Sequence, residues 1–555
     1  MTLAALTILG PLAATVLILV LRRGASALAV LGTGVALFGA LSTLVRIAGG
    51  ERYSATLPGL PDLPLRLAIE PLTAVLAAFV SVVSFFVMVY AVGYTAEEGG
   101  KVRFFAGMSL FAAAMQTLVV AGDWVLLLAA WEVIGFLSFL LIGFYYERPG
   151  VGEAATRAFL YTRTADLGLY VAIFILIAGA GTSEIQATLD VGGAAAVVAG
   201  LLLLLAAAGK SAQTPLQGWL QGAMAGPTPV SALLHSATLV KAGVFLLIRL
   251  WPVLAGTDAW FWTVGSAGLV TLLLGAYVAI FQNDLKGLLA YSTISHLGLI
   301  TLLLGLDSDL ALVAAVFHVL NHAAFKASLF MAAGIIDHET GTRDIRRLSG
   351  LNRSMPFTTR LALVAAAAMA GVPLLNGFIS KEMFFTEALT APEALTAQAA
   401  LPLAAMLGSA FSVTYSLRFI HAAFFGPDPV DLPRRPHEPP SWMRFPVEVL
   451  VLVCIVVGVL PAATVGPFLD LAVRSVMGGA TPYYSLAVWH GFNPPLLMSA
   501  IALGGGAALY FALQPRLLGG VEGPPLIRRL EGRRAFERAM VFLCWRAPRS
   551  AERAF

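Results

Sequence analysis

The sequence is short of charge, of cysteine and of polar stretches that could fold alone. Charged residues make up 12% of its 555 positions, against about 25% in ordinary soluble domains. Hydrophobic residues reach 59% and the mean hydropathy is +0.85. Such a chain cannot cover a water-facing surface, so it reads as an integral membrane protein. The two cysteines, Cys454 and Cys544, lie far apart in or beside apolar segments, which excludes a disulfide framework and offers no metal-ligand spacing. There is no P-loop and no strand–glycine turn–helix fingerprint. No loop is long enough for a domain, so catalysis on a soluble substrate has nowhere to sit, and no cofactor is expected. The net charge of +4 is modest. Its positive residues fall in short loops, a pattern of membrane orientation rather than of nucleic-acid binding.

What the sequence does have is one apolar run after another. A span needs about 20 residues to cross roughly 30 Å of hydrocarbon. Some fifteen windows qualify, beginning near residues 2, 25, 71, 103, 122, 153, 194, 229, 258, 287, 308, 357, 399, 446 and 493. The opening "MTLAALTILGPLAATVLILVLRR" lacks the basic start of a signal peptide and has too long an apolar run; with Arg22 and Arg23 behind it, it reads as the first span. Alternate loops carry Arg22 and Arg23; Lys101 and Arg103; Arg148; Lys286; Arg343, Arg346, Arg347 and Arg353; then Arg434, Arg435 and Arg444. The positive-inside rule then sets the N-terminus outside and the C-terminus in the cytoplasm of a bacterial or archaeal cytoplasmic membrane. The basic tail 514–555 reads as an amphipathic surface helix or partner contact, or else as a solvated end near anionic lipid.

Ionisable residues inside the spans are few, and each is costly in hydrocarbon. They are Glu132; Arg163 and Asp166; Lys210; His235 and Lys241; His318, His322 and Lys326; and Lys381 with Glu382. His318, His322 and Lys326 repeat at every fourth position, so they drift only about 80° around a helix and form one polar stripe. Imidazoles and a desolvated amine exchange protons near neutral pH. Glu132 is the candidate carboxylate partner of Lys210. Arg163 and Asp166, three apart on one helix face, read either as a structural ion pair or as part of the same path. His318 and His322 lack the acidic or cysteine ligands that a metal site would add. So many buried charges across six spans point to a proton or cation path.

Two of these lysines stand at interruptions. Lys210 precedes Pro215, and "AMAGVPLLNGFISKEMFF" breaks an apolar run at Gly371, Pro373 and Gly377 before Lys381. The two segments are five spans apart and therefore cross in opposite directions, as in an inverted repeat with ion sites at discontinuous helices. The expected organisation is N-terminal helices over 1–102, five-helix repeats over 103–251 and 258–426, C-terminal helices over 446–513 and the tail.

The stretches "GKSAQTPLQGWLQGAMAGPTPVSALLHSATLVKAG", "DLKGLLAYSTISHLGL" and "HVLNHAAFKASLF" resemble the proton-conducting antiporter-like membrane proteins. That family includes the L-, M- and N-type subunits of respiratory complex I and the A- and D-type subunits of Mrp sodium/proton antiporters. The resemblance implies an all-α polytopic fold with a hydrophilic axis along the membrane plane. It matches Glu132 to a fifth-helix glutamate, Lys210 to the lysine of a broken seventh helix and Lys241 to an eighth-helix lysine. His318, His322 and Lys326 match a connecting helix, Lys381 the broken twelfth, and Arg163 with Asp166 a sixth-helix pair of L-type subunits. "WEVIGFLSFLLIGFYYERP" looks like the L type of complex I, and "GTRDIRRLSGL" and "LAVWHGFNPPLLMSA" look like the A type of Mrp antiporters. Phe555 comes before the lateral helix of the L type and the extra spans of the A type. A shorter relative, the membrane subunit of a DAB-type inorganic-carbon complex paired with a zinc protein like carbonic anhydrase, therefore also fits. All three imply work inside a hetero-oligomeric complex in lipid, on protons or on Na+. Any enzymatic role would be within an NADH:quinone oxidoreductase-like translocase.

Overall fold

The computed structural model describes residues 2–60, 63–189, 191–306, 308–390, 400–429, 431–519, 523–526, 538 and 541. Two helices, α1 (Thr2–Leu21) and α2 (Ala25–Ala48), lead into a hairpin of β1 (Tyr53–Leu60) and β2 (Leu63–Ile69). Then come α3 (Pro71–Tyr94), α4 (Lys101–Val119), α5 (Trp124–Ile142) and α6 (Val151–Ala180). The turn α7 (Ile185–Thr188) precedes α8 (Gly193–Lys210); past a break follow α9 (Gly218–Gly222), α10 (Thr228–Ser236) and α11 (Leu239–Leu254). The short α12 (Asp258–Trp260) and a π turn over Phe261–Gly265 open onto α13 (Ser266–Ile280), α14 (Leu285–Gly305) and α15 (Asp309–Thr340). A second break separates α16 (Pro356–Ala370) from α17 (Asn376–Thr390). The rest is α18 (Ala400–Phe424), α19 (Ser441–Val459), α20 (Pro461–Thr464), α21 (Gly466–Met477) and α22 (Pro494–Leu518).

Fourteen stretches of helix among the described residues are long and apolar enough to cross a membrane. The protein is an all-α polytopic membrane protein. The fifteenth expected window, at residue 357, is also a helix, but α16 has only 15 residues because Gly371 stops it in the left-handed conformation, at φ +87°. The hairpin in the 49–70 loop was not expected from the sequence. Most of the basic tail lies outside the described residues, and α22 runs across its proposed start to Leu518.

Between lipid-immersed helices the apolar effect is weak, so close packing of small residues must hold the bundle. The α13–α14 pair illustrates this. A Cβ built on Gly268 would collide with the Leu302 backbone nitrogen, and one on Gly298 with the Leu272 backbone nitrogen. No side chain fits there, and the backbones touch. Burial is deepest in α14 and α15, whereas α1 and α22 keep apolar side chains such as Val20 and Leu497 on the outside. The helix carrying the histidine–lysine stripe is thus at the centre of the bundle. Lys286, counted above among the loop charges, is instead 1% exposed at the start of α14 and donates to the Gly226 carbonyl at 2.7 Å.

Candidate functional site: two lysines at broken helices

At the first break α8 ends on Lys210 and regular helix resumes only at Gly218. The backbone groups set free find partners. Trp219 Nε1 donates to the Gly209 carbonyl at 3.0 Å, and Gln213 Nε2 donates to the Ser211 carbonyl at 3.0 Å; the Ser211 hydroxyl ties the break to α11 by donating to the Val240 carbonyl at 2.7 Å. Lys210 is fully buried, and its amine lies 3.1 Å from Asp166 Oδ2. Trp131 Nε1 donates to the other oxygen of that carboxylate at 2.6 Å, and the amine stands 5.5 Å from the Trp131 ring centroid. Gly135 supplies the room, since a Cβ there would lie 2.8 Å from Lys210 Nζ.

This pairing differs from the expected one. Asp166, not Glu132, is the carboxylate at Lys210, and Glu132 pairs with Arg163. Arg163 and Asp166 share a helix but do not pair with each other: each reaches to a different neighbour. The Arg163–Glu132 pair is partly exposed, with side-chain accessibilities of 41% and 21%, beside the exposed apolar side chains Val133, Phe136 and Leu167.

At the second break the lysine comes after the gap. Lys381 Nζ donates to the Met369 and Ala370 carbonyls, both at 2.9 Å, and to the Ser412 hydroxyl at 3.0 Å. The ammonium thus caps the C-terminal carbonyls of α16, the negative end of that helix dipole. From Ser412 a hydrogen-bonded series continues. The Tyr415 hydroxyl donates to Ser412 at 2.9 Å and lies 3.2 Å from His296 Nε2. His296 Nδ1 is 2.9 Å from His318 Nε2, and His318 Nδ1 is 2.9 Å from the Ser380 hydroxyl. All six members are buried.

The remaining stripe residues face the same region. His322 packs its ring 5.4 Å from His296, and Lys326 meets the Ser292 hydroxyl and Met369 Sδ. His235 lies between Trp219 and Phe330. Both nitrogens of His235 and of His322, and the Lys241 amine, lack a hydrogen-bond partner among the described residues. Lys241 borders a cavity of about 20 Å³, room for about one water. Glu382 lines a separate cavity of about 240 Å³, with His490 Nδ1 at 3.5 Å from its carboxylate. No three metal-ligating side chains converge among the described residues.

His296, Tyr415, Ser412 and Ser380 were missed by the sequence reading. His296 carried a signal, as a lone imidazole in the apolar "STISHLGL". The hydroxyls carried none, because serine and tyrosine are ordinary packing residues in membrane helices.

Residues 121–407 match the family described as "NADH:quinone oxidoreductase/Mrp antiporter, TM", and residues 59–105 match "NADH-Ubiquinone oxidoreductase (complex I), chain 5 N-terminus". The chain belongs to the NADH:quinone oxidoreductase/Mrp antiporter transmembrane family. Within the family it is 53% identical over 513 residues to the A/B-type subunit of a probable K(+)/H(+) antiporter of Rhizobium meliloti (strain 1021), covering 91% of this chain and 51% of that protein. It is 35% identical over 494 residues to the A-type subunit of the Na(+)/H(+) antiporter of Alkalihalophilus pseudofirmus, covering 83% and 61%. The fold superposes on a chain of the Mrp complex from Dietzia sp. DQ12-45-1b with a TM-score of 0.83 at 34% identity, covering 93% of this chain and 56% of that one. A chain of the membrane-bound sulfane sulfur reductase, an archaeal respiratory membrane complex, shares the fold at a TM-score of 0.78 and 22% identity, covering 86% of this chain and 98% of that one. The chain spans about half to three-fifths of the length of these two curated antiporter relatives.

Proposed function

We propose that this chain is a proton-translocating subunit of a multi-subunit cation/proton antiporter of the Mrp type. The observation that carries the reading is the buried series Ser380–His318–His296–Tyr415–Ser412–Lys381. Each imidazole and hydroxyl in it can both give and take a proton, and the lysine at its end can hold one. Lys210 with Asp166 forms a second loading point. His235, Lys241 and His322 lie among these groups with nitrogens that have no hydrogen-bond partner among the described residues and that water can satisfy. Glu382 and the His490 beside it serve as the outlet of the series.

Units 103–251 and 258–426 are the two inverted repeats, each with one broken helix and its lysine; a superposition that leaves Lys210 and Lys381 unmatched would remove that assignment. The half-exposed Arg163–Glu132 pair supports work inside an assembly. A charge pair at membrane depth is costly against lipid, and a neighbouring membrane protein of the complex covers it. In a prokaryotic cytoplasmic membrane the Arg343–Arg353 loop faces the cytoplasm; modification of a cysteine placed there from the cytoplasmic side alone checks this. The transported ions are H+ and a monovalent cation.

Tyr415→Phe tests the series, because it deletes one hydroxyl and keeps the ring. Proton flux through vesicles holding the assembled complex falls by about two- to tenfold, the worth of one hydrogen bond, and Lys381→Ala abolishes it. Unchanged flux in both variants, with normal assembly, rejects the path.

A further inference from the structure

On the flank of the first break is a cavity of about 210 Å³ between α8, the π turn and α14. Its rim is apolar and outward-facing: Leu201 and Leu205 are 44% and 43% exposed. Its wall also carries two deeply buried side chains, Gln213 at 1% and Thr301 at 2% exposure. Gln213 Oε1 and the Thr301 hydroxyl have no hydrogen-bond partner among the described residues. The opposite end of the Gln213 amide is in use, since Nε2 donates to the Ser211 carbonyl at 3.0 Å. A buried acceptor and a buried hydroxyl without partners, beside an apolar hollow at the edge of the bundle, need an explanation.

Water alone fits poorly. The hollow is walled mostly by leucine, alanine and valine, and apolar cavities stay dry. An apolar body with one polar atom meets both requirements. We propose that this cavity is a binding site for a neutral amphiphile drawn from the bilayer, an aliphatic chain bearing a single hydroxyl-type donor. The chain fills the space beside Leu201, Leu205 and Ala208. Its hydroxyl donates to Gln213 Oε1 and accepts from Thr301. The occupant then bears on the Ser211–Gln217 break through Gln213 and acts on the segment that follows Lys210. The π turn forming one wall fits a ligand site, because such one-turn irregularities recur where helices are functional.

The test is photolabelling of the assembled complex in membranes with an aliphatic diazirine carrying a terminal hydroxyl, beside the same diazirine alkane without it. The hydroxyl probe concentrates on residues 201–213 and 263–267 relative to α1, and the alkane spreads evenly. Thr301→Val and Gln213→Met each lower that enrichment by about fivefold, and Ala208→Trp abolishes it by filling the space. Equal patterns from the two probes would overturn the proposal, as would enrichment indifferent to Thr301→Val and Ala208→Trp. Rapid modification of Ala208→Cys by a small hydrophilic thiol reagent would overturn it too, since water would then fill the hollow.

Discussion

At the first break the lysine amine meets a carboxylate; at the second it meets only neutral oxygens. Lys210 is compensated by Asp166, which is itself fixed by the Trp131 indole. Lys381 is held by two helix-terminal carbonyls and a serine, with a hydrogen-bonded series of histidines behind it. One amine is part of a local ion pair, and the other is the end of a chain of exchangeable groups. Two lysines at similar breaks thus have different surroundings. In the path we propose, the first responds to a charge brought near its pair, and the second passes a proton on.

Energetics separate the two. Asp166→Asn removes half of a buried ion pair and leaves the other charge stranded, at a cost of about 3–5 kcal/mol. An SDS-unfolding titration of the complex reads it. Lys381→Met leaves neutral acceptors unpaired and costs about 1–3 kcal/mol. Equal losses in the two variants would break the comparison, because charge compensation would then make no difference between the sites.

Glycine beside each lysine sharpens it further. Gly371 has φ +87°, and a Cβ there would lie 2.8 Å from Lys381 Cδ. Gly371→Ala therefore adds about 1–2 kcal/mol of left-handed strain to the collision. At Gly135 the collision is with the mobile end of Lys210 alone, so Gly135→Ala costs less in the same titration and is seen mainly as reduced flux. The reverse order would mean that Lys210 cannot swing aside.

The smallest effect is outside the membrane. Asp344 accepts from Arg346, whose guanidinium holds its carboxyl below the usual range. A depressed value stabilises the fold above the unfolded pKa of about 3.9. The gain is lost as pH falls through the lower folded value. Both side chains are well solvated, so Asp344→Asn costs at most about 1 kcal/mol at neutral pH. The same titration run at acidic pH should find no difference from the parent chain.

The spans were legible because hydrocarbon imposes one requirement, a long apolar helix, and each of the fifteen windows falls on a helix. The breaks were legible because proline and glycine interrupt runs that otherwise carry on. Partners were not. Spacing puts Arg163 and Asp166 on one face of α6, yet which of them turns toward α8 and which toward Glu132 depends on packing angles that no local pattern records. Lys286 failed for a related reason: a lysine just after an aspartate cap looks like a loop charge until a neighbouring carbonyl, that of Gly226, is seen to take it. Tyr415 and Ser412 left no trace, since their role exists only through what they touch.

The small hairpin has a mechanical consequence. The Arg66 backbone on β2 is bonded to the α4–α5 corner at both ends: its N–H donates to the Asp123 side chain at Oδ2, 2.5 Å away, and its carbonyl accepts from the Gly122 N–H at 2.8 Å. Asp123 also caps α5 by accepting from Leu126, and Trp124 is tied to Ser183 beyond α6. The helix bearing Trp131, Glu132 and Gly135 is thereby clamped at its head. These bonds oppose a piston-like slide of that helix, so in the path we propose the first lysine moves by swinging its own flexible stem past a fixed neighbour.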